Sequence, residues 1–359
     1  MRNHTYIIAE AGVNHNGSLE LAKQLVDVAK EAGADAVKFQ TFKTENLVTK
    51  SAKQAAYQVD NIGEATSQFD MLKSLELSYE QFIKLNDYCK TKKIEFLSTP
   101  FDFESVDFLL DDICLSKVKI PSGELTNSPF IHYIATKRKS IIISTGMATL
   151  DEIHEALSFL AYGLAFPQEA VDLDEAVKFY RTDEAKDILK KFVTVLHCTT
   201  EYPAPYETIN LQAINKMSKE LQLPTGFSDH SVGIAVPLAA AALGATVIEK
   251  HFTLNRALPG PDHKASLEPK ELKEMVSGIR AIEQSLGDGI KVPTNIECEN
   301  RMVARKSIVA KKRISIDEII TEAHLTIKRP GNGMEPSKLW SIVGRRASKS
   351  YNPDELIDE

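Results

Sequence analysis

Two histidines frame the first chemical question. His230 in GFSDHS and His251 in IEKHF each follow a short apolar run. Between them, VGIAVPLAAAALGA has the length and alanine content of a buried crossover helix. The pattern is strand–helix–strand, with an imidazole just past the carboxyl end of each strand. In parallel α/β sheets that edge is where ligands bind. Neutral imidazole binds manganese, zinc or iron, so the pair predicts a metal site. The chain holds 9 histidines, so the pair alone does not outweigh coincidence; the other strand ends decide.

Those ends collect polar residues. They include Glu10, Lys38, Gln40, Thr99, Lys119, Ser122, Glu124, Ser144, Thr200, Tyr202, Ser228, Glu249 and Lys250. A charged residue inside an apolar strand is costly unless it is paired or meets a ligand. Lys38, Lys119 and Lys250 are three such lysines on three strands. With the hydroxyls of Thr99, Ser122 and Ser228 they predict a pocket for a small phosphorylated or carboxylated molecule. The histidines would hold a divalent cation beside it. Glu10 and Glu124 are available as acid–base or hydroxyl-orienting groups. The residues therefore describe a metal-assisted enzyme acting on a small anion.

The elements that must position them alternate. Strands are predicted at YIIAEA, DAVKFQT, IEFLSTP, SKVKIPSGE, SIIISTG, VTVLHCTTEYP, TGFSDHS and ATVIEKHF, with helical segments between. Eight such units fit a (β/α)8 TIM barrel. A doubly wound open sheet fits less well, because no GxGxxG follows the first strand. Residues 42–67 form a polar stretch too long for an ordinary connection, and residues 68–93 read as continuous helix. Residues 149–191 exceed one helix and carry an acidic insertion, read as a solvated decoration. After Gly287 the barrel rhythm ends. The expected organisation is a catalytic barrel at 1–288, a linker at 289–301 and a small domain at 302–359.

Composition removes other classes. Hydrophobic content of 43% and charged content of 26% suit a globular protein. A net charge of −7 argues against nucleic-acid binding. No apolar run reaches the ~20 residues of a membrane span. The 4 cysteines form no CxxC pair and read as free thiols. The barrel pattern starts close to Met1, so the expectation is a cytoplasmic chain without a cleaved leader.

The sequence resembles the bacterial N-acetylneuraminate (sialic acid) synthases and the related legionaminate synthases along its whole length. The motifs are IIAEAGVNHNG, AVKFQTFK, FLSTPFD, KIPSGE, STGMA, HCTTEYPAP, GFSDHS, IEKHFTL, GPDHKAS, RKSIVAK and KRPGNG, in that order. The resemblance implies a TIM barrel followed by an antifreeze-like (SAF, β-clip) domain, in a domain-swapped homodimer. It implies condensation of phosphoenolpyruvate with an N-acetylmannosamine-type sugar, with Mn2+ or another divalent cation such as Mg2+ on His230 and His251. It assigns Lys38, Thr99, Lys119, Ser122, Ser228 and Thr200 to phosphoenolpyruvate. Glu10, Tyr202, Asp262 and Asn61 fall to the sugar. Glu124 would lie between the reactants, and the partner subunit's Arg329 would reach the sugar N-acetyl group. Glu10 or Glu124 would handle the attacking water. Some relatives carry Asn where this chain has Thr200, and residues 149–191 are longer than the resemblance leads one to expect.

Three readings follow. N-acetylneuraminate synthase is preferred. Legionaminic acid synthase, with a 2,4-diacetamido-2,4,6-trideoxymannose acceptor and a less polar pocket around the sugar tail, is the alternative. A non-catalytic carbohydrate-binding protein is opposed by the set of Glu10, Lys38, Lys119, Ser122, His230 and His251.

Overall fold

The computed structural model describes residues 4–62 and 66–358. By contacts the chain divides into two compact units, Met1–Leu286 and Gly287–Glu359. In the first, eight parallel strands run β1 Tyr6–Gly12, β2 Ala36–Thr41, β3 Glu95–Pro100, β4 Lys117–Ile120, β5 Ser140–Ser144, β6 Val193–Cys198, β7 Thr225–Asp229 and β8 Val247–His251. Their order is β3-β2-β1-β8-β7-β6-β5-β4. Strands β3 and β4 lie side by side and complete a TIM barrel, although among the described residues no ladder joins them. The histidine-bearing strands β7 and β8 are neighbours, as the sequence predicts.

The first helix shows why these segments fold as they do. In Leu19–Ala32, Ser18 accepts a hydrogen bond from the Leu21 amide, and Gly33 ends the helix in the left-handed conformation. Ala22, Leu25, Val26, Ala29 and Ala32 form its buried face. Burying a side chain such as Leu25 contributes about 1.5–3 kcal/mol.

Strand alternation decides which residues reach the barrel axis. Ile8, Ala36, Leu97, Ile142, Leu196 and Val247 form an apolar layer inside the barrel. Two residues further along each of these strands stand Glu10, Lys38, Thr99, Ser144, Cys198 and Glu249. A closed apolar floor thus carries a polar layer.

Three stretches differ from expectation. Residues 68–93 split into helices Gln68–Leu75 and Tyr79–Lys92, because Ser78 and Gln81 form a capping box that starts the second. Residues 149–191 contain Leu150–Ala165, buried along most of its length. Two more helices follow, Leu173–Tyr180 and Asp183–Phe192, and the latter contacts β5 and β6. The middle helix is fastened through rings, with Phe179 4.9 Å from Phe166 and 6.3 Å from Tyr162 between centroids. The stretch is thus barrel helix and packed addition rather than solvated decoration; the acidic residues mark only its outer faces.

The second unit pairs Ser307–Ala310 with Leu325–Lys328 in antiparallel fashion. Its core holds Ile308, Ile314, Ile320, Ile342, Tyr351 and Ile357. Part of the expected linker is helical: Thr294 caps Asn295–Ala304, which buries none of its residues.

Candidate active site

A cavity of about 450 Å³ sits at the carboxyl ends of the strands. Glu10, Lys38, Thr99, Lys119, Ser122, Thr200, Tyr202, Ser228, His230, His251 and Asp262, all named from the sequence, line it. At its base Lys38 Nζ lies 2.6 Å from Glu10 Oε2 and 3.1 Å from Thr99 Oγ1. Glu249 spans the lysines, 3.6 Å from Lys38 and 3.4 Å from Lys119, and accepts a 2.8 Å hydrogen bond from Ser228 Oγ.

These charges are almost wholly removed from water, and they do not titrate alike. Burial raises Glu10 to about 7 against the pull of Lys38. Burial would also raise Glu249, but Lys119 and Lys38 overcome it and bring that carboxyl down to about 2. Burial thus pushes Glu10 up, while the two lysines hold Glu249 down as an anion.

Above the base stand the imidazoles. The His230 and His251 rings are 5.4 Å apart between centroids, and Tyr202 lies 4.0 Å from His230. The Thr199 carbonyl lies 2.6 Å from His230 Nδ1, which takes the ring proton there and leaves Nε2 free as a ligand. His251 Nδ1 is buried without a hydrogen-bond partner, with Asp262 Oδ2 3.8 Å away. Burial holds His251 well below the usual imidazole range and so neutral. Among the described residues no group of three metal-ligating side chains converges. The protein would supply two imidazoles and leave the other positions to water or ligand oxygens. That donor set suits a divalent cation at an open catalytic site.

Other buried polar atoms lack hydrogen-bond partners: Thr200 Oγ1, Ser144 Oγ and one carboxylate oxygen of Glu249. Buried polar groups are normally satisfied, so this concentration marks a place shaped for a polar ligand. Backbone detail keeps it open. Gly12 takes φ +53, and a Cβ there would lie 3.3–3.4 Å from Glu10, Gln40 and His251. The Gly146 amide donates to Ser122 Oγ at 2.9 Å. A Cβ on Gly146 would lie 2.1 Å from Thr200 Oγ1 and 2.8 Å from Ser122 Oγ.

One wall of the mouth is apolar. Val13, Phe42, Met71 and Leu75 cluster there, with Leu47, Leu72 and Phe101 against them. Phe42 and Leu47 come from the stretch 42–67 whose length suggested a functional loop, Met71, Leu72 and Leu75 from the helix Gln68–Leu75, and Val13 and Phe101 directly follow β1 and β3. Thr44 anchors the stretch 42–67, donating from its amide and its hydroxyl to Glu76 Oε2 at 3.1 and 2.8 Å.

Three sequence-predicted residues, Lys250, Glu124 and Asn61, are not among those lining the cavity. Lys250 points to the opposite face of β8 from Glu249 and His251, where it pairs with Asp229 at 2.7 Å. Glu124 does not line the cavity; its Oε2 accepts a 2.7 Å hydrogen bond from Asn127 near the surface. Asn61 acts on the cavity at one remove, donating to the Pro261 carbonyl at 2.7 Å beside Asp262. Arg329 follows the strand Leu325–Lys328 and is exposed in the second unit. Glu249, Gln40, Ser144 and Cys198 also line the cavity without having been assigned a role. Counting inward positions by twos along each strand finds Glu249, Ser144 and Cys198 and rejects Lys250.

Comparison with known proteins follows the same lines. The family model described as NeuB family matches residues 25–291, and the SAF domain model matches residues 305–359. An N,N'-diacetyllegionaminic acid synthase of Campylobacter jejuni is 48% identical, covering 99% of each chain. An N,N'-diacetyllegionaminic acid synthase of Legionella pneumophila is 45% identical over 97% of this chain and 91% of its own. Among solved structures, an N-acetylneuraminic acid (sialic acid) synthetase of Leptospira borgpetersenii matches with a TM-score of 0.66. It is 32% identical, over 83% of this chain and 90% of its own.

Proposed function

The chain belongs to the NeuB family, and on that premise we propose that it is an N,N'-diacetyllegionaminic acid synthase. It would condense phosphoenolpyruvate with 2,4-diacetamido-2,4,6-trideoxymannose and release phosphate. The identity of 48% and 45% to relatives bearing that name, against 32% to the sialic acid synthetase, carries the choice of acceptor. It reverses the order of the two sugars preferred from sequence. The apolar wall of Leu47, Met71, Leu72 and Leu75 supports the same choice. A 6-deoxy sugar ends in a methyl group that such a wall receives without stranding a hydroxyl.

The chain's own residues divide the work. Lys38 and Lys119, with Thr99, Ser122, Thr200 and Ser228, hold the phosphate and carboxylate of phosphoenolpyruvate. Tyr202 and Asp262 orient the sugar, with Asn61 steadying the segment that carries Asp262. A divalent cation on His230 and His251, Mn2+ or Mg2+, would supply Lewis-acid activation of the sugar aldehyde. The enol C3 then bonds to the aldehyde carbon, water adds at C2, and phosphate leaves with the C–O bond. Glu10 is placed and poised to take the proton of that water; the outward Glu124 carboxylate favours Glu10 over it for this role. The floor of buried aliphatic side chains excludes stray water from the activated intermediate.

The enzyme would act in the cytoplasm, where phosphoenolpyruvate is made. It would work as a domain-swapped homodimer in which the partner subunit's Arg329 reaches an acetamido group of the sugar. Exposed Ile296, Met302 and Val303 on the helix Asn295–Ala304 support a partner that covers them. A monomer by light scattering at assay concentration would end that part of the reading. The central test is phosphate release from phosphoenolpyruvate with Mn2+, run with each sugar in parallel. Faster release with the diacetamido sugar is expected. A clear preference for N-acetylmannosamine would return the assignment to N-acetylneuraminate synthase.

A further inference from the structure

The outward pair of Lys250 and Asp229 has no part in the reaction, yet it lies against both histidines in sequence. Both residues are fully buried. They sit opposite each other in the β7–β8 register, on the last paired rung before His230 and His251. Lys250 Nζ donates to Asp229 Oδ2 at 2.7 Å and to the Ser231 carbonyl at 2.5 Å. Asp229 Oδ1 accepts from the Ser231 amide at 2.8 Å. His230 is thus bracketed by two residues tied to one ammonium, and its own carbonyl accepts from the Ala204 amide at 2.9 Å. The same ammonium belongs to the residue before His251. No other side chain cross-links the ends of these two strands on their outer face among the described hydrogen bonds.

A buried ion pair is weak evidence for stability, because well-packed apolar residues often replace one without loss. What a saturated pair supplies is a fixed geometry. We propose that Lys250 and Asp229 are positioning residues that lock the spacing of the His230 and His251 imidazoles for a divalent cation. The inference rests on the two-histidine metal reading above. Outer groups that orient metal ligands typically change metal affinity by about 10–100-fold when removed.

The test is Mn2+ titration of the purified full-length protein without substrates, following free Mn2+ by electron paramagnetic resonance. Thermal unfolding of each variant is recorded alongside. Lys250→Met leaves the Asp229 charge buried and unpaired and is the variant at risk of misfolding. The Asp229→Asn/Lys250→Met double variant removes both charges and keeps their bulk. The expected result is a folded double variant whose Mn2+ Kd is weaker by about 10–100-fold. A folded double variant with unchanged Kd overturns the proposal and leaves the metal site standing. If wild type binds no better than His251→Ala, the metal reading itself fails and the proposal falls with it. A structural role alone would lower the Tm of the double variant without moving its Kd.

Discussion

Two buried charge clusters share the strand β8, one on each face. The inner one joins Glu249 to Lys38 and Lys119, with Glu10 on Lys38. The outer one joins Lys250 to Asp229 and the Ser231 carbonyl. Both are sealed from water, but they are finished differently. The outer cluster has its ammonium and carboxylate hydrogen-bonded at 2.5–2.8 Å. The inner one leaves a carboxylate oxygen on Glu249 and the hydroxyls of Ser144 and Thr200 without a hydrogen bond, whereas in the outer one the charged atoms are all bonded and only the Ser231 hydroxyl is bare. A saturated cluster fixes structure; an unsaturated one waits for a ligand. Burial depth and charge count do not separate the two, whereas hydrogen-bond accounting does.

That contrast can be broken by substitution. The largest effect should come from Glu10→Gln, which keeps shape and removes the proton acceptor. We expect turnover to fall by about 10²–10⁴-fold, while Glu124→Gln stays within a few-fold of wild type. Phosphate release measures both, and a comparable loss in the two variants would restore Glu124 to the site. Next, Lys119→Met and Lys250→Met should separate activity from stability. The first should lower turnover by about 10²–10³-fold with a modest change in urea midpoint. The second should lose about 3–5 kcal/mol of stability, since it strands a buried carboxylate. An inner variant that unfolds as readily as the outer one would remove the distinction. The smallest effect is at the apolar wall. Met71→Gln should shift the kcat/KM ratio of the two acceptor sugars toward N-acetylmannosamine by about 10-fold. An unchanged ratio would mean that the wall does not read the sugar tail.

The sequence makes the barrel legible because parallel strands buried on both faces read as apolar runs, and eight of them alternate with helices. The histidine pair is legible for the same reason: each terminates such a run. Lys250 misleads because composition does not say which face a residue takes. Glu249 and His251, two apart, share a face, and that alternation puts Lys250 on the other. Glu124 differs in another way. Its partner Asn127 is three residues on, where it also caps the helix Ser128–Thr136, and Ser122 and Gly123 line the cavity in its place. The tail of residues 149–191 was obscured by its acidic residues, although Ala185, Leu189 and the ring cluster carry its packing. The acceptor sugar is the least legible, since the wall proposed to meet its tail is assembled from residues scattered between Val13 and Phe101.

Gly146 gives the site an exposure of another kind. Its missing Cβ is the space in which the Ser122 and Thr200 hydroxyls converge. An alanine there would push both hydroxyls aside without touching the apolar layers that hold the barrel. One methyl group, the smallest side chain the genetic code can add, would thus reshape the pocket of a properly folded barrel.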